Sequence, residues 1–380
     1  MKINQPVNAL MLPGGGARGA YQVGVIKAIL EILATDKNPF PVICGTSAGA
    51  INATVLASHA ADIQHGIKRL EYFWTNVHCA DIYKTGAGTI FKTIMRSIGA
   101  ITLGGLGVKP PRSLLDNTPL KQLLSEQLRL PQIQQALEQG VLHALSINAS
   151  SYDTAEAISF FQALKQESWR RTRRQGIAEP MTVEHVMAST ALPFIFPAQR
   201  IGHQYYGDGG LRMTAPLSPA IHLNADRILV IGTRDEKPIE APSQQSDYPS
   251  MGELGGYMLD TIFMDNMMAD LSRLKRINRT LSLMPPEKQA STHLKHIETL
   301  IIKPSEDVRD VTARHANNIP RAVRTLLKLI GGWGKDWRMP SYLLFEPPYT
   351  KELIELGYQD AQAQKDTIRD FMSAPSTTGT

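Results

Sequence analysis

Cysteine is nearly absent. Two residues, Cys44 and Cys79, in a chain of 380 are too few for a disulfide scaffold, so the sequence predicts a reducing compartment and two buried, unpaired thiols. Long apolar runs are missing too. The longest weakly charged stretch, residues 85–108, carries Lys92, Arg96 and several glycines, poor material for a span of ~20 apolar residues, and no transmembrane helix is expected. The opening MKINQPVNAL lacks the charged start, apolar run and small-residue cleavage site of a secretory leader, so none is expected either. Acidic excess is also lacking. A formal charge of +5 suits anionic lipid or nucleic acid without demanding either. The expected location is the cytoplasm, with peripheral contact at an anionic membrane surface as an addition. None of the ten histidines shows metal-ligand spacing, and neither a metal nor another cofactor is expected.

What is present is enough apolar material, 43% of residues, for one large core or two modest ones. Residues 8–12 form a short apolar run that stops at Pro13 and Gly14. Val25, Ile26, Ile29, Ile32 and Leu33 then fall at helical spacing. A second apolar run at residues 40–44 leads into a helix-like stretch at 48–58, which makes the first sixty residues a β-α-β-α unit with a parallel sheet. Both strands end in glycine-rich turns, which should open onto the ligand-binding edge of the sheet. Later strands are expected at 144–149, 157–161 and 227–231. The glycine-punctuated segment 85–111 reads as a cap or lid. A polar, proline-containing linker near 235–248 divides a core, 1–235, from a mainly helical extension, 236–372, and the tail 373–380 has the composition of a disordered end.

Gly45-Thr46-Ser47-Ala48-Gly49 is a G-x-S-x-G pentapeptide between an apolar strand and a small-residue helix, the setting of a nucleophile elbow. A serine on so sharp a turn needs neighbours without side chains, so that its hydroxyl projects while the Ala48 amide faces a developing oxyanion. Only one strand and one helix fit before Ser47, which argues against the α/β-hydrolase fold. At the other turn, Gly14-Gly15-Gly16-Ala17-Arg18-Gly19 offers consecutive amides at a helix N-terminus, an anion-binding concavity. The same letters satisfy the dinucleotide fingerprint G-x-G-x-x-G. The second strand, however, ends Val42-Ile43-Cys44-Gly45 without the carboxylate that holds a ribose hydroxyl.

The glycine-rich GGGARG, then GTSAG, and far downstream Asp208-Gly209-Gly210 occur in one chain and in that order. In this the chain resembles the patatin-like phospholipases over residues 8–231. The resemblance implies a three-layer α/β/α sandwich around a mostly parallel sheet. It also implies a Ser47/Asp208 dyad without histidine, an oxyanion hole from Gly14, Gly15 and Gly16 helped by Arg18, and a lipid acyl ester as substrate. Gly19, Gly45, Gly49, Gly209 and Gly210 shape the turns. The stretch Ser189-Thr190-Ala191-Leu192-Pro193 with Phe196-Pro197 is similar to the family's. Leu211 to Pro216 departs from it, lacking an asparagine two residues before the proline, which affects a supporting contact and not the dyad. A carboxylate can serve as the base when partial burial raises its pKa towards neutrality, and Asp208 follows Tyr205-Tyr206-Gly207, whose rings can limit water. Spacing singles out none of His185, His203 or His222 as a rival base.

Several features have two readings. Ile90, Phe91, Ile94, Met95, Ile98 and Ile101 line an acyl groove or fill the core of a cap. Met264, Met267 and Met268 adapt to acyl chains or simply pack a helix. Trp169-Arg170-Arg171-Thr172-Arg173-Arg174 meets phosphate headgroups, less readily nucleic acid, or is a solvated face; no nucleic acid is expected as a partner. Arg321, Arg324 and Lys328 share one face of a helix at 320–330, with Val323, Leu326, Leu327 and Ile330 opposite. That helix docks on anionic membranes or packs on the core. Two other classes stay open: a catalytically silent membrane-binding module and a nucleotide-binding α/β protein. Headgroup preference, activator, protein partners and oligomeric state are not encoded legibly.

Overall fold

Residues 8–12 read NALML, and a run with no polar face is stable only where both faces of a strand are covered. In the computed structural model this run is β1 (Asn8–Leu12), with the last four residues buried. It lies mid-sheet, between β2 (Val42–Thr46) and β9 (Arg227–Ile231), parallel to both. Alternate residues feed opposite layers: Leu10, Leu12 and Ile43 join one apolar cluster, Ala9, Met11, Val42 and Cys44 the other. The structure describes residues 6–88, 95, 112–235, 248–292, 294–334 and 336–373. The expected cap at 85–111, with Ile90, Phe91, Ile94, Ile98 and Ile101, lies almost wholly outside them. So do most of the linker and all but the first residue of the tail.

Beyond β2 the sheet continues through β3 (Ala144–Ser151), β4 (Ala157–Ala163), β5 (Trp169–Arg171) and β6 (Arg174–Ala178). Next come β7 (Gln199–Ile201) and β8 (Gln204–Asp208), and β10 (Glu298–Ile302) closes the other edge. The path runs β10-β9-β1-β2-β3-β4-β6-β5, with β8 pairing β3 and β7 pairing β8. From β10 to β3 all pairs are parallel, whereas β3 is antiparallel to both β4 and β8. The expected strands are there, and the fold is a mostly parallel sheet between helical layers.

Two helices open the chain, α1 (Ala20–Leu33) after the glycine loop and α2 (Ala48–Ser58), buried along its whole length, after the elbow. Further on, α3 (Val183–Ser189) precedes the β7–β8 hairpin. The helical stretch anticipated after the linker divides into α4 (Met251–Asp260), a π-helical turn at Thr261–Asp265 and α5 (Asn266–Ser282). Met264 and Met267 are buried in the core and Met268 packs against it. In α6 (Arg321–Leu329) the apolar face, Val323, Leu326 and Leu327, is buried, and Arg324 sits 5.2 Å over the Trp333 ring, so that face packs inward. The last long helix, α7 (Pro347–Ala363), lies along α1. The C-terminal third thus also supplies the sheet's edge strand β10. The Trp169–Arg174 stretch is a β5–β6 hairpin on the far edge, with Trp169 stacked 4.0 Å from His222. Both cysteines are buried and free, and burial pushes each thiol pKa well up. Among the described residues no helix is long and apolar enough to cross a membrane.

Candidate active site

The chain turns from β2 into α2 within one residue. Ser47 has φ 55° and ψ −127°, a conformation that costs an L-residue ~1–3 kcal/mol and persists only where its surroundings impose it. Those surroundings are visible. Ser47 N–H donates to Ser189 Oγ at 2.9 Å. Gly49 lies so close to the end of β1 that a Cβ there would stand 2.0 Å from Leu12 O, and a Cβ on Gly45 would stand 2.4 Å from Gly49 O. The elbow expected from GTSAG is present, with Ser47 2% exposed and Ala48 opening the helix behind it.

Asp208 reaches the same place through the sheet. Thr46 at the end of β2 pairs with Asn148 of β3, and the next residue, Ala149, pairs with Asp208 of β8. One strand therefore sets serine and aspartate side by side. The Asp208 amide donates to Ala191 O at 2.9 Å, and its carbonyl accepts from Ser150 Oγ at 2.8 Å. The carboxylate is fully buried. Oδ1 accepts from Gly210 N at 2.9 Å, while Oδ2 has no aligned hydrogen-bond partner. Burial raises the Asp208 carboxyl to about 7, against the opposing pull of the Ser47 hydroxyl and the Gly210 amide. The Ser47 hydroxyl thus lies close enough to favour the charged carboxylate. Gly209 packs on Asn148 O, and Gly210 on Ile262 and Phe263.

The glycine-rich loop lies against the elbow. The point where a Cβ on Gly14 would stand is 2.9 Å from Ser47 Cβ and 2.1 Å from the Phe263 ring. Gly14 O accepts from Thr233 Oγ1 at 2.8 Å, Gly15 packs on Thr233, and Gly19 packs on Ala48. Gly16 has φ +54° and faces Tyr342 O, so a side chain is excluded twice over. Arg18 turns towards the C-terminal segment. Its guanidinium is buried, with Nε and Nη2 donating to Ser341 Oγ at 2.8 and 2.6 Å and Nη1 to Asp260 Oδ1 at 2.9 Å. It also lies 4.0 Å from the Tyr342 ring centroid. Burial works against both charges, yet the pair holds Asp260 below the usual carboxylate range.

Ser47 opens on a cavity of ≈ 20 Å³ walled by Ile51, Ile82, Leu120, Leu192, Phe196 and Phe345, among others. No histidine is among its described lining residues. His185 pairs with Glu179 at 3.0 Å and lies against Phe160, and His222 accompanies Ser218 and Trp169. Two residues went without a role in the sequence reading, Ser189, which fixes Ser47, and Ser150, which fixes Asp208. Within the Ser189-to-Pro193 stretch, Ser189 and Ala191 hold the Ser47 and Asp208 amides through hydrogen bonds two residues apart.

The family model of patatin-like phospholipases matches residues 10–221. A cGAMP-activated phospholipase of Pseudomonas aeruginosa is 25% identical over 218 residues, 55% of this chain and 54% of that protein. The chain thus spans about half the length of this curated relative. Among solved structures, VipD from Legionella pneumophila aligns over 96% of this chain and 67% of its own, at 15% identity and a TM-score of 0.39. Human GIVD cytosolic phospholipase A2, in complex with methyl gamma-linolenyl fluorophosphonate, aligns over 97% and 58%, at 14% identity and a TM-score of 0.42. With more than half of its length matched by that family model, the chain belongs to the patatin-like phospholipase family.

Proposed function

We propose that this chain is a serine acyl hydrolase that cleaves fatty-acyl esters of lipids, with Ser47 as nucleophile and Asp208 as proton acceptor. The observation that carries this reading is a serine at φ 55° beside a fully buried carboxyl raised to about 7. A base near neutrality can take the Ser47 proton as Oγ attacks the acyl carbonyl. The oxyanion then faces the amides of Ala48 and of Gly14 to Gly16, donors in place before charge develops. Protonated Asp208 returns the proton to the departing alcohol, leaving an acyl-enzyme. Asp208 next draws a proton from water, the hydroxide attacks the ester carbonyl, and collapse releases the fatty acid and restores the Ser47 hydroxyl. Residues 1–235 carry this chemistry in our reading, and residues 236–372 close over it through Tyr342, Phe345 and Phe263. Contact with an anionic membrane surface belongs to the same proposal.

The test is hydrolysis of p-nitrophenyl butyrate together with labelling by a fluorophosphonate. Ser47→Ala should abolish both. Asp208→Asn should lower turnover by ~10³-fold or more, and the double variant should be little worse, since the two act as one unit. A folded Asp208→Asn protein with near-native turnover would overturn the dyad, and a wild type that neither turns over nor labels would overturn the enzyme.

A further inference from the structure

The space in front of Ser47, ≈ 20 Å³, holds about one water, whereas sites for organic ligands run to about 300–1,000 Å³. A cavity of ≈ 610 Å³ lies behind the same wall. Within the loop from Leu192 to Phe196, Leu192 and Phe196 face the serine while Pro193, Phe194 and Ile195 face the larger space. The π-helical turn after α4 runs from the larger space towards the glycine loop that lies against Ser47. Ile262 lines the larger cavity, and its Cγ2 is 2.6 Å from where a Gly210 Cβ would stand. The next residue, Phe263, abuts both Gly210 and Gly14. At the Leu192–Phe196 loop the partition is one residue thick.

We infer that the larger cavity is a subsite for one long acyl chain of an anionic lipid, reached from Ser47 when Phe263 and the loop give way. The inference rests on the hydrolase reading above. The far wall is apolar, made of Leu254, Met258 and Leu259 of α4 with Ile330 and Met339, all outside the family-matched region. Arg112 and Ser113 are the only polar side chains among its described lining residues. A described lining with one cation and no acid complements an amphiphile with an anionic head. Two bulky side chains are left open to solvent there, Phe194 and Met251, each 77% exposed. Phe194 also has φ +65°, a strained conformation for an aromatic residue. It is held because Leu114 N and Leu115 N donate to the carbonyls of Phe194 and Ile195 at 2.8 Å each. Strain of this kind gathers where a segment has to move.

Two variants test the subsite. A Cβ at Gly255 meets only the flexible Met339 methyl, so Gly255→Leu projects bulk into the groove at little cost to folding. Met258 is 47% exposed, and Met258→Glu puts a like charge where the head or chain should lie. Each is measured for binding of 11-dansylundecanoate and for the ratio of kcat/KM on p-nitrophenyl laurate to that on the butyrate. Both numbers should fall about ten-fold or more, as when roughly two methylenes lose their burial. Wild-type probe affinity and chain-length ratio in either folded variant would overturn the subsite, as would a wild type that does not bind the probe. Ser47→Ala should bind the probe like wild type while losing turnover. Turnover retained in Ser47→Ala would sink the hydrolase reading, and probe binding would still decide the subsite.

Discussion

Arg18 Nη1 lies 2.9 Å from Asp260 Oδ1, with both side chains almost wholly buried, joining the glycine-rich loop to the end of α4. Tyr342 Oη donates to the same carboxylate oxygen at 2.7 Å and Arg338 Nε to the other at 3.1 Å. The arginine of the GGGARG motif is therefore part of a tie between the glycine-rich loop and the C-terminal helices. Removing one partner strands a buried charge, so Asp260→Leu should cost ~3–5 kcal/mol of unfolding free energy. Adding Arg18→Met to it should recover much of that loss, because a buried apolar pair often replaces an ion pair without penalty. Urea denaturation of the two proteins measures the difference, and equal stabilities would mean that the pair holds nothing together.

Asp208, raised to about 7 by burial, makes stability and activity respond to pH in opposite senses. Below about pH 4 both the folded and unfolded chains carry the proton. Between 4 and 7 the unfolded chain releases it while the folded one keeps it, so the unfolding free energy falls as pH rises and levels above 7, a drop on the order of 4 kcal/mol. The base, by contrast, works only without its proton, so kcat/KM on a butyrate ester should rise through a midpoint near 7. Asp208→Asn should lose this part of the stability profile, gaining on the wild type between pH 4 and 7. A wild type whose stability tracks the variant at all pH values would show that the carboxyl is not held protonated by burial.

Ser189 accepts the Ser47 amide proton inside the core. Ser189→Ala leaves that N–H without a partner, an expected loss of ~1–3 kcal/mol. The elbow residue should also relax from its strained backbone, lowering kcat with little change in KM, because binding space is untouched. Ser189→Cys, which keeps a weak acceptor, should recover part of the rate. Steady-state kinetics beside thermal unfolding separate the two effects: an unchanged kcat in a destabilised protein would confine Ser189 to stability.

What could be read in advance followed from local pattern. β1, α1, β2 and α2 are apolar runs and helical spacings bounded by glycine, and the elbow is written in five adjacent residues. β8 was not legible as a strand, because Gln204–Asp208 is polar at one end, carries a glycine, and is held by antiparallel pairing to the end of β3. β10, half-buried at the sheet edge, was absorbed into a helical expectation. The Arg18–Asp260 pair is not legible in the sequence, because the two stand 242 residues apart and no spacing rule spans that distance. Ser150 and Ser189 look like any small polar residues until the fold sets them against the backbones of Asp208 and Ser47.

Phe194 tests whether the wall between the two cavities is under strain. At φ +65° an L-residue pays roughly 1–2 kcal/mol that glycine does not, and its ring, 77% exposed, has little burial to lose. Glycine normally loses to alanine by ~0.5–1 kcal/mol through the freedom that it gives the unfolded chain. Here the order should reverse, with Phe194→Gly more stable than Phe194→Ala by about 1 kcal/mol, since alanine keeps the strain and loses the ring. If the strained loop also serves to open the path from Ser47 to the groove, releasing it should matter for long chains alone. Hydrolysis of a laurate ester by Phe194→Gly should then fall relative to that of a butyrate ester, while Phe194→Ala, still strained, should keep more of the long-chain rate. Equal chain-length ratios in the two variants would confine the backbone of Phe194 to stability and leave its ring as the only contribution to the groove.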